Sequence, residues 1–143
     1  MTAALKLVDV YYTSFAQKAD AGGITSLSDD EQVVLLSCWA KAEIDNGGFA
    51  NLYSLPVDIE KVENAFTAIG LMEASAAVSD SKKVFPEGRP PDDLEERTRI
   101  VEELVKSTGD RDPWYPYDKI IWSIDSIDEV VENYILRKGI QIA

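Results

Sequence analysis

The sequence contains no histidine and a single cysteine, and both shortages exclude common kinds of site. Without histidine, the chain lacks the usual general base at neutral pH and the commonest metal ligand. Cys38 lies in an apolar run, where a thiol is expected to pack as a small core residue rather than act as a nucleophile. One cysteine forms no intrachain disulfide, which fits a reducing compartment. We therefore predict a protein that is not an enzyme and that has no catalytic residue, cofactor or metal site.

Long apolar runs and nucleotide-binding motifs are also absent from the sequence. No segment offers the roughly 20 uninterrupted apolar residues that a membrane span needs. The first residues, MTAALKLVDVYY, carry charges at Lys6 and Asp9 and do not follow the pattern of a signal peptide. The chain has no P-loop, no G-x-G-x-x-G, no G-x-S-x-G and no EF-hand loop. We expect a cytoplasmic protein that binds no membrane.

Negative charge is what the chain has in excess. It carries 26 acidic and 14 basic residues among 143, for a net charge of -12. Such a chain repels nucleic acid and anionic membranes and favours a basic protein partner or divalent cations, although solubility alone also explains acidity. The acids cluster on two predicted helices, and these form our candidate partner surface: Asp92, Asp93, Glu95, Glu96, Glu102 and Glu103, then Asp125, Asp128, Glu129 and Glu132. A solvated helical face is the alternative interpretation.

The stretch from 28 to 56 predicts the central helix of the fold. Ser28 is a favourable N-cap, and Glu31 three positions later completes the pattern of a capping box. Apolar residues from 33 to 44 occupy more than one helical face, which indicates a helix buried on several sides. The Asn-Gly-Gly sequence at 46–48 is typical of a helix end, because these residues tolerate a left-handed backbone.

Glu43 and Asn46 lie on one side of the last turn of this predicted helix. A carboxylate near a helix C-terminus is unfavourable, so we expect Glu43 to bond to the amides of the turn or to a basic side chain. A structural clasp that fixes the turn and a contact with a ligand or partner both remain open. We call the group formed by Glu43, Asn46, Gly47, Gly48 and Phe49 the signature turn.

The remaining patterns predict a compact all-α fold, a single domain over residues 1–143 with about five or six helices. Apolar spacing predicts further helices over 3–19, 58–79, 93–107 and 127–138. Residues 120–124 predict a short helix or a strand-like piece. Gly70 lies inside the second of these helices, where we expect a packing reason for it. Ser126 and Glu129 repeat the capping-box pattern.

The segment Glu43-Ile44-Asp45-Asn46-Gly47-Gly48-Phe49 resembles the E-x-x-N-G-G-F signature of a bacterial DNA-mimic-protein-like family of unknown function. The resemblance continues through AFTAIGLMEASAAV, LEERTRIVEEL and YDKIIWSIDSIDEVVENYI, and covers about 28–138. The family tends to place Gln and then two aromatic residues where this chain has Asn51, Leu52 and Tyr53. The resemblance implies an all-helical fold. For at least one member it also implies a surface that imitates the phosphates of duplex DNA and occupies a DNA-binding protein.

Three functions follow as hypotheses. The first is a non-enzymatic acidic protein-binding module, a DNA mimic that sequesters a basic DNA-binding regulator without binding nucleic acid itself. The second is an immunity-type or antitoxin-like protein that binds a partner near Glu43 and Asn46. The third is an enzyme or a small-ligand binder with a pocket near the Gly-Gly turn, between Trp39, Phe49 and the aromatic residues of 112–118. The oligomeric state and the spatial arrangement of the acids remain open.

Overall fold

The computed structural model describes residues 6–109 and 112–142, and all regular structure within these ranges is helical. The elements are α1 (Leu7–Gly22), a 3-10 turn (Ile24–Ser26), α2 (Asp29–Tyr53), α3 (Ile59–Ala68), α4 (Met72–Lys82), α5 (Leu94–Ser107), α6 (Tyr115–Trp122) and α7 (Ile127–Lys138). The all-α prediction is confirmed. The expected five or six helices were too few, since the described residues form seven α-helices. None of these helices combines the length and the apolar character needed to cross a membrane.

Helix α2 is the element around which the others pack, as the sequence predicts. It contacts α1, α3, α5, α6 and α7. The capping box at its start is present: the Glu31 amide donates to Ser28 Oγ at 3.2 Å, and the Ser28 amide donates to Glu31 Oε1 at 2.8 Å. Val34, Ala40 and Ile44 are wholly buried, so the helix is covered on several sides.

The predicted single helix over 58–79 is wrong, because the chain forms two helices there. Helix α3 ends at Ala68 and α4 begins at Met72. Gly70 has φ +86°. Its amide donates to Thr67 O at 3.0 Å and the next amide donates to Phe66 O at 2.9 Å, which is the bond pattern of a Schellman C-cap. Gly70 therefore ends a helix, and it has no close neighbour of the kind that we expected.

Other boundaries differ by smaller amounts. Helix α1 extends through Gly22 instead of stopping near 19, and residues 3–5 of the predicted helix lie outside the described part of the chain. The ambiguous segment at 120–124 belongs mainly to a helix, α6, which ends at Trp122. Helix α7 has the predicted bounds, but the expected capping box fails because the Ser126 side chain makes no capping bond.

Candidate partner surface and signature turn

The larger group of predicted partner-binding acids lies on α5 and in the two residues before it. All six are exposed: Asp92, Asp93, Glu95, Glu96, Glu102 and Glu103. Asp93 is the N-cap, and its Oδ2 accepts the Glu96 amide at 2.9 Å. This bond holds the start of the helix, so Asp93 has a structural task besides its charge.

The four glutamates of α5 follow a regular spacing. Glu95 and Glu102 are seven positions apart, as are Glu96 and Glu103. Seven residues make about two helical turns and a rise of about 10.5 Å, so each pair shares one face. Three base-pair steps of duplex DNA span a similar distance, about 10 Å. Arg99 interrupts the rows, because its Nη1 pairs with Glu103 Oε1 at 2.8 Å.

Arg97 lies among these acids in the sequence, but its side chain faces the core. It is only 5% exposed. Its Nε donates to Tyr53 O at 2.8 Å, Nη2 to Leu55 O at 2.8 Å and Nη1 to Pro91 O at 3.0 Å. Burial lowers the pKa of the guanidinium from its ordinary value. The outer face of α5 is therefore more acidic than a count of its charged residues indicates.

The second acidic group lies at the start of α7. Asp125 and Glu129 are exposed, whereas Asp128 and Glu132 are partly buried. Lys6 Nζ forms an ion pair with Asp128 Oδ2 at 2.9 Å at the surface of the protein. The acidic run around Asp128 gives no sign of this cation, because Lys6 lies near the other end of the chain. Lys6, the residue before α1, thus offsets part of the negative charge at the start of α7.

The two acidic helices pack against different parts of α2. Arg97 of α5 bonds to the carbonyl of Tyr53, the last residue of α2. Tyr134 of α7 donates its hydroxyl to Asp30 Oδ1 at 2.7 Å, in the first turn of α2. We therefore describe two acidic patches, one carried by each helix. Their role in binding a partner remains a prediction.

The Gly-Gly turn bends α2 without ending it, which corrects the predicted helix stop at 46–48. Gly47 (φ -155°, ψ 17°) and Gly48 (φ 72°, ψ -173°) are non-helical, and the helix then resumes to Tyr53. A positive φ with ψ near 180° is readily adopted only by glycine. Phe49 is fully buried directly after the bend.

The clasp at this bend involves a residue that the sequence did not suggest. Asn51 Nδ2 donates to both the backbone carbonyl and the Oε2 of Glu43, each at 2.9 Å. The expected partners of Glu43, turn amides or a basic side chain, are wrong because the resumed helix brings Asn51 back to the preceding turn. Asn46 is exposed and has no hydrogen bond from its side chain within residues 6–109 and 112–142. A Cβ on Gly47 would lie 2.7 Å from Asn51 Cβ, so the clasp also needs this glycine.

Asp118 of α6 packs against the bend at Gly48 and Phe49. It is 2% exposed, and its Oδ1 accepts the Phe49 amide at 2.8 Å. Burial raises the pKa of Asp118 to about 6; the Phe49 amide opposes this shift, while the negative charge of Asp112 adds to it. Trp122, four residues later, donates its indole N–H to Ile44 O at 2.7 Å. The sequence carries no signal that separates Asp118 from the other acids.

Trp114, in the 112–118 segment, belongs to the core and does not line a pocket beside the bend, whereas Tyr115 and Tyr117 are partly buried. Trp114 and Phe49 are both fully buried. Trp114 donates its indole N–H to Ser81 O at 2.9 Å and packs against Tyr53 with ring centroids 5.8 Å apart. Trp39 lies elsewhere, in the wall of a cleft that α1 lines. Trp39, Phe49 and Trp114 therefore do not line one common pocket, which the third hypothesis requires.

Cys38 has the structural character that its sequence context predicts. It is a free, partly buried thiol. Burial raises its pKa to about 12, so the thiol stays protonated at neutral pH.

The chain that forms this bent central helix and its acidic flanking helices matches a known protein family. The model of the DMP19-like protein family matches residues 25–138, and the chain belongs to this DNA-mimic-like family. Neither the curated proteins nor the solved structures contain a match to the chain. The match covers α2 through α7, so both acidic patches and the signature turn lie inside the family region.

Proposed function

We propose that this chain is a non-enzymatic, acidic protein-binding module that imitates DNA and sequesters a basic DNA-binding protein. The observation that carries the proposal is the exposed glutamate face of α5 in a chain with a net charge of -12. Family membership supports mimicry at the level of the family, and the partner is identified here only by its chemistry.

The physical basis is competition for the same cationic side chains. A DNA-binding protein places Lys and Arg side chains against phosphates and gains free energy when counterions leave the duplex. Exposed carboxylates at comparable spacing offer the same cations a similar field. Glu95 and Glu102 have no ion pair among the described residues, so their charges are available for such contacts.

Salt and duplex DNA provide the test. Basic DNA-binding proteins should bind the immobilised chain at low salt and be released as the salt concentration rises, because screening weakens contacts between exposed charges. Added duplex DNA should release the same proteins by competition. Retention that is insensitive both to salt and to duplex DNA would exclude mimicry.

An immunity-type or antitoxin-like interaction through the signature turn is the second candidate, and exposed Asn46 is the observation in its favour. Because Glu43 is engaged by Asn51, its replacement would disturb the fold. Asn46→Ala is the cleaner variant. If it remains folded and loses a partner that duplex DNA does not displace, this second function replaces the first.

A further inference from the structure

A cleft between α1 and α2 is separate from both acidic patches and from the signature turn. Its volume is about 470 Å³, within the usual range for small-molecule sites. Apolar residues dominate its walls, and they include Leu35, Leu36, Ile24 and Val57. No acid of α5 or α7 lines it, so the proposed function does not account for the cleft.

Two aromatic side chains in the wall have unused polar ends. Tyr12 of α1 and Trp39 of α2 are both only partly buried. Within residues 6–109 and 112–142, neither the Tyr12 hydroxyl nor the Trp39 indole N–H has a hydrogen-bond partner. Both rings line the cleft, where they can pack against the apolar body of an organic ligand.

The charged groups at the rim favour a cation over an anion. Asp58 already accepts the Lys61 amide at 3.3 Å as the N-cap of α3. Lys61 Nζ donates to Gln32 Oε1 at 3.3 Å. Asp20, at the end of α1, is exposed and has no hydrogen bond or ion pair among the described residues. The rim thus carries two carboxylates, those of Asp20 and Asp58, against one ammonium group, because Lys61 forms no ion pair among the described residues. Asp20 also adds to the rise in the pKa of Tyr12 that burial mainly causes.

We propose that this cleft binds an aromatic or aliphatic organic cation, with the apolar body between Tyr12 and Trp39 and the ammonium group near Asp20. The net charge of the chain also draws cations toward the surface and repels anions. The ligand class is therefore an amine or a quaternary ammonium on a hydrophobic body.

The test uses phenyltrimethylammonium as the cationic probe and phenylacetate as an anion of similar size. We expect the cation to shift the Trp39 indole N–H resonance in a saturable manner below roughly 10 mM, and the anion to leave it unchanged. Asp20→Asn should weaken binding of the cation about fivefold. Asp9→Asn, the same substitution at an exposed site on the same helix, should leave binding within about twofold of the wild type.

Three results would overturn the proposal. These are equal binding of the anion, no saturable shift of Trp39 at roughly 10 mM cation, or equal effects of the two aspartate substitutions. Far-UV circular dichroism and Trp114 indole resonances check that the variants keep their fold, since Trp114 is fully buried and does not line the cleft.

Discussion

Replacement of Gly48 by alanine should be among the most destabilising single-methyl changes in this chain. An alanine Cβ would lie 2.5 Å from Asp118 Oδ2 and 2.9 Å from Asp118 Cγ, so the carboxylate must move. The backbone at φ 72° and ψ -173° adds strain of about 1–3 kcal/mol for a residue with a side chain. Displacement of Asp118 also removes the acceptor of the buried Phe49 amide, which costs about 1–3 kcal/mol. The expected total is about 4 kcal/mol.

Urea unfolding followed by circular dichroism measures this loss. With a slope of about 2 kcal/mol per M, a loss of about 4 kcal/mol lowers the midpoint by about 2 M. Gly88→Ala is the matched control, because Gly88 has φ +78° but no atom within 4 Å of the added Cβ. It should cost only about 1–2 kcal/mol.

A double-mutant cycle with Asp118→Ala isolates the steric part. In that background the atoms that oppose the new Cβ are absent, so Gly48→Ala should cost little more than its backbone strain. A Gly48→Ala variant as stable as Gly88→Ala, or a cost that Asp118→Ala does not reduce, would refute the assigned clash.

Three further predictions concern side chains around the bend and α5. Asp118→Asn keeps an acceptor for the Phe49 amide and removes a carboxylate whose pKa is raised to about 6. As pH rises from about 4 to 7, the wild type should therefore lose about 2–3 kcal/mol of stability relative to the variant. Calorimetry measures this difference, and a parallel pH dependence of the two proteins would contradict it. Arg97→Ala should cost about 3 kcal/mol or more by leaving buried carbonyls unpaired, against less than about 1 kcal/mol for exposed Arg99→Ala, both by urea unfolding. Asn51→Ala should cost about 1–2 kcal/mol by the same assay, and equal stability would dismiss the clasp.

Local signals explain which helices could be predicted from the sequence. Helix α7 begins and ends where its apolar spacing and the glycine at 139 indicate, and α2 begins at the capping box of Ser28 and Glu31. The break between α3 and α4 was missed because apolar spacing continues through Gly70. Glycine is tolerated inside helices as well as after them, so sequence spacing alone did not distinguish a Schellman cap from a helix interior.

The contacts that shape the candidate site could not be predicted, because they join distant parts of the chain. The Glu43 clasp depends on a helix that resumes after the bend and returns Asn51 to it. Arg97 points inward because the carbonyls of the α2 end require donors, although its neighbours are typical of an exposed face. The place of Asp118 under Gly48 depends on how α6 packs against α2. The charge composition identified the acidic helices, but it did not show which basic side chains, such as that of Arg97, point into the core.

The most direct test of the central claim compares two variants of equal net charge. Glu95→Gln/Glu102→Gln neutralises two exposed acids of the α5 face, and Asp20→Asn/Glu73→Gln neutralises two exposed acids outside both patches. If carboxylates on α5 imitate DNA phosphates, the first variant should bind a basic DNA-binding partner about tenfold more weakly than the second, at one fixed salt concentration. Equal affinities of the two variants would show that the position of the charges on α5 does not matter, and would contradict the account.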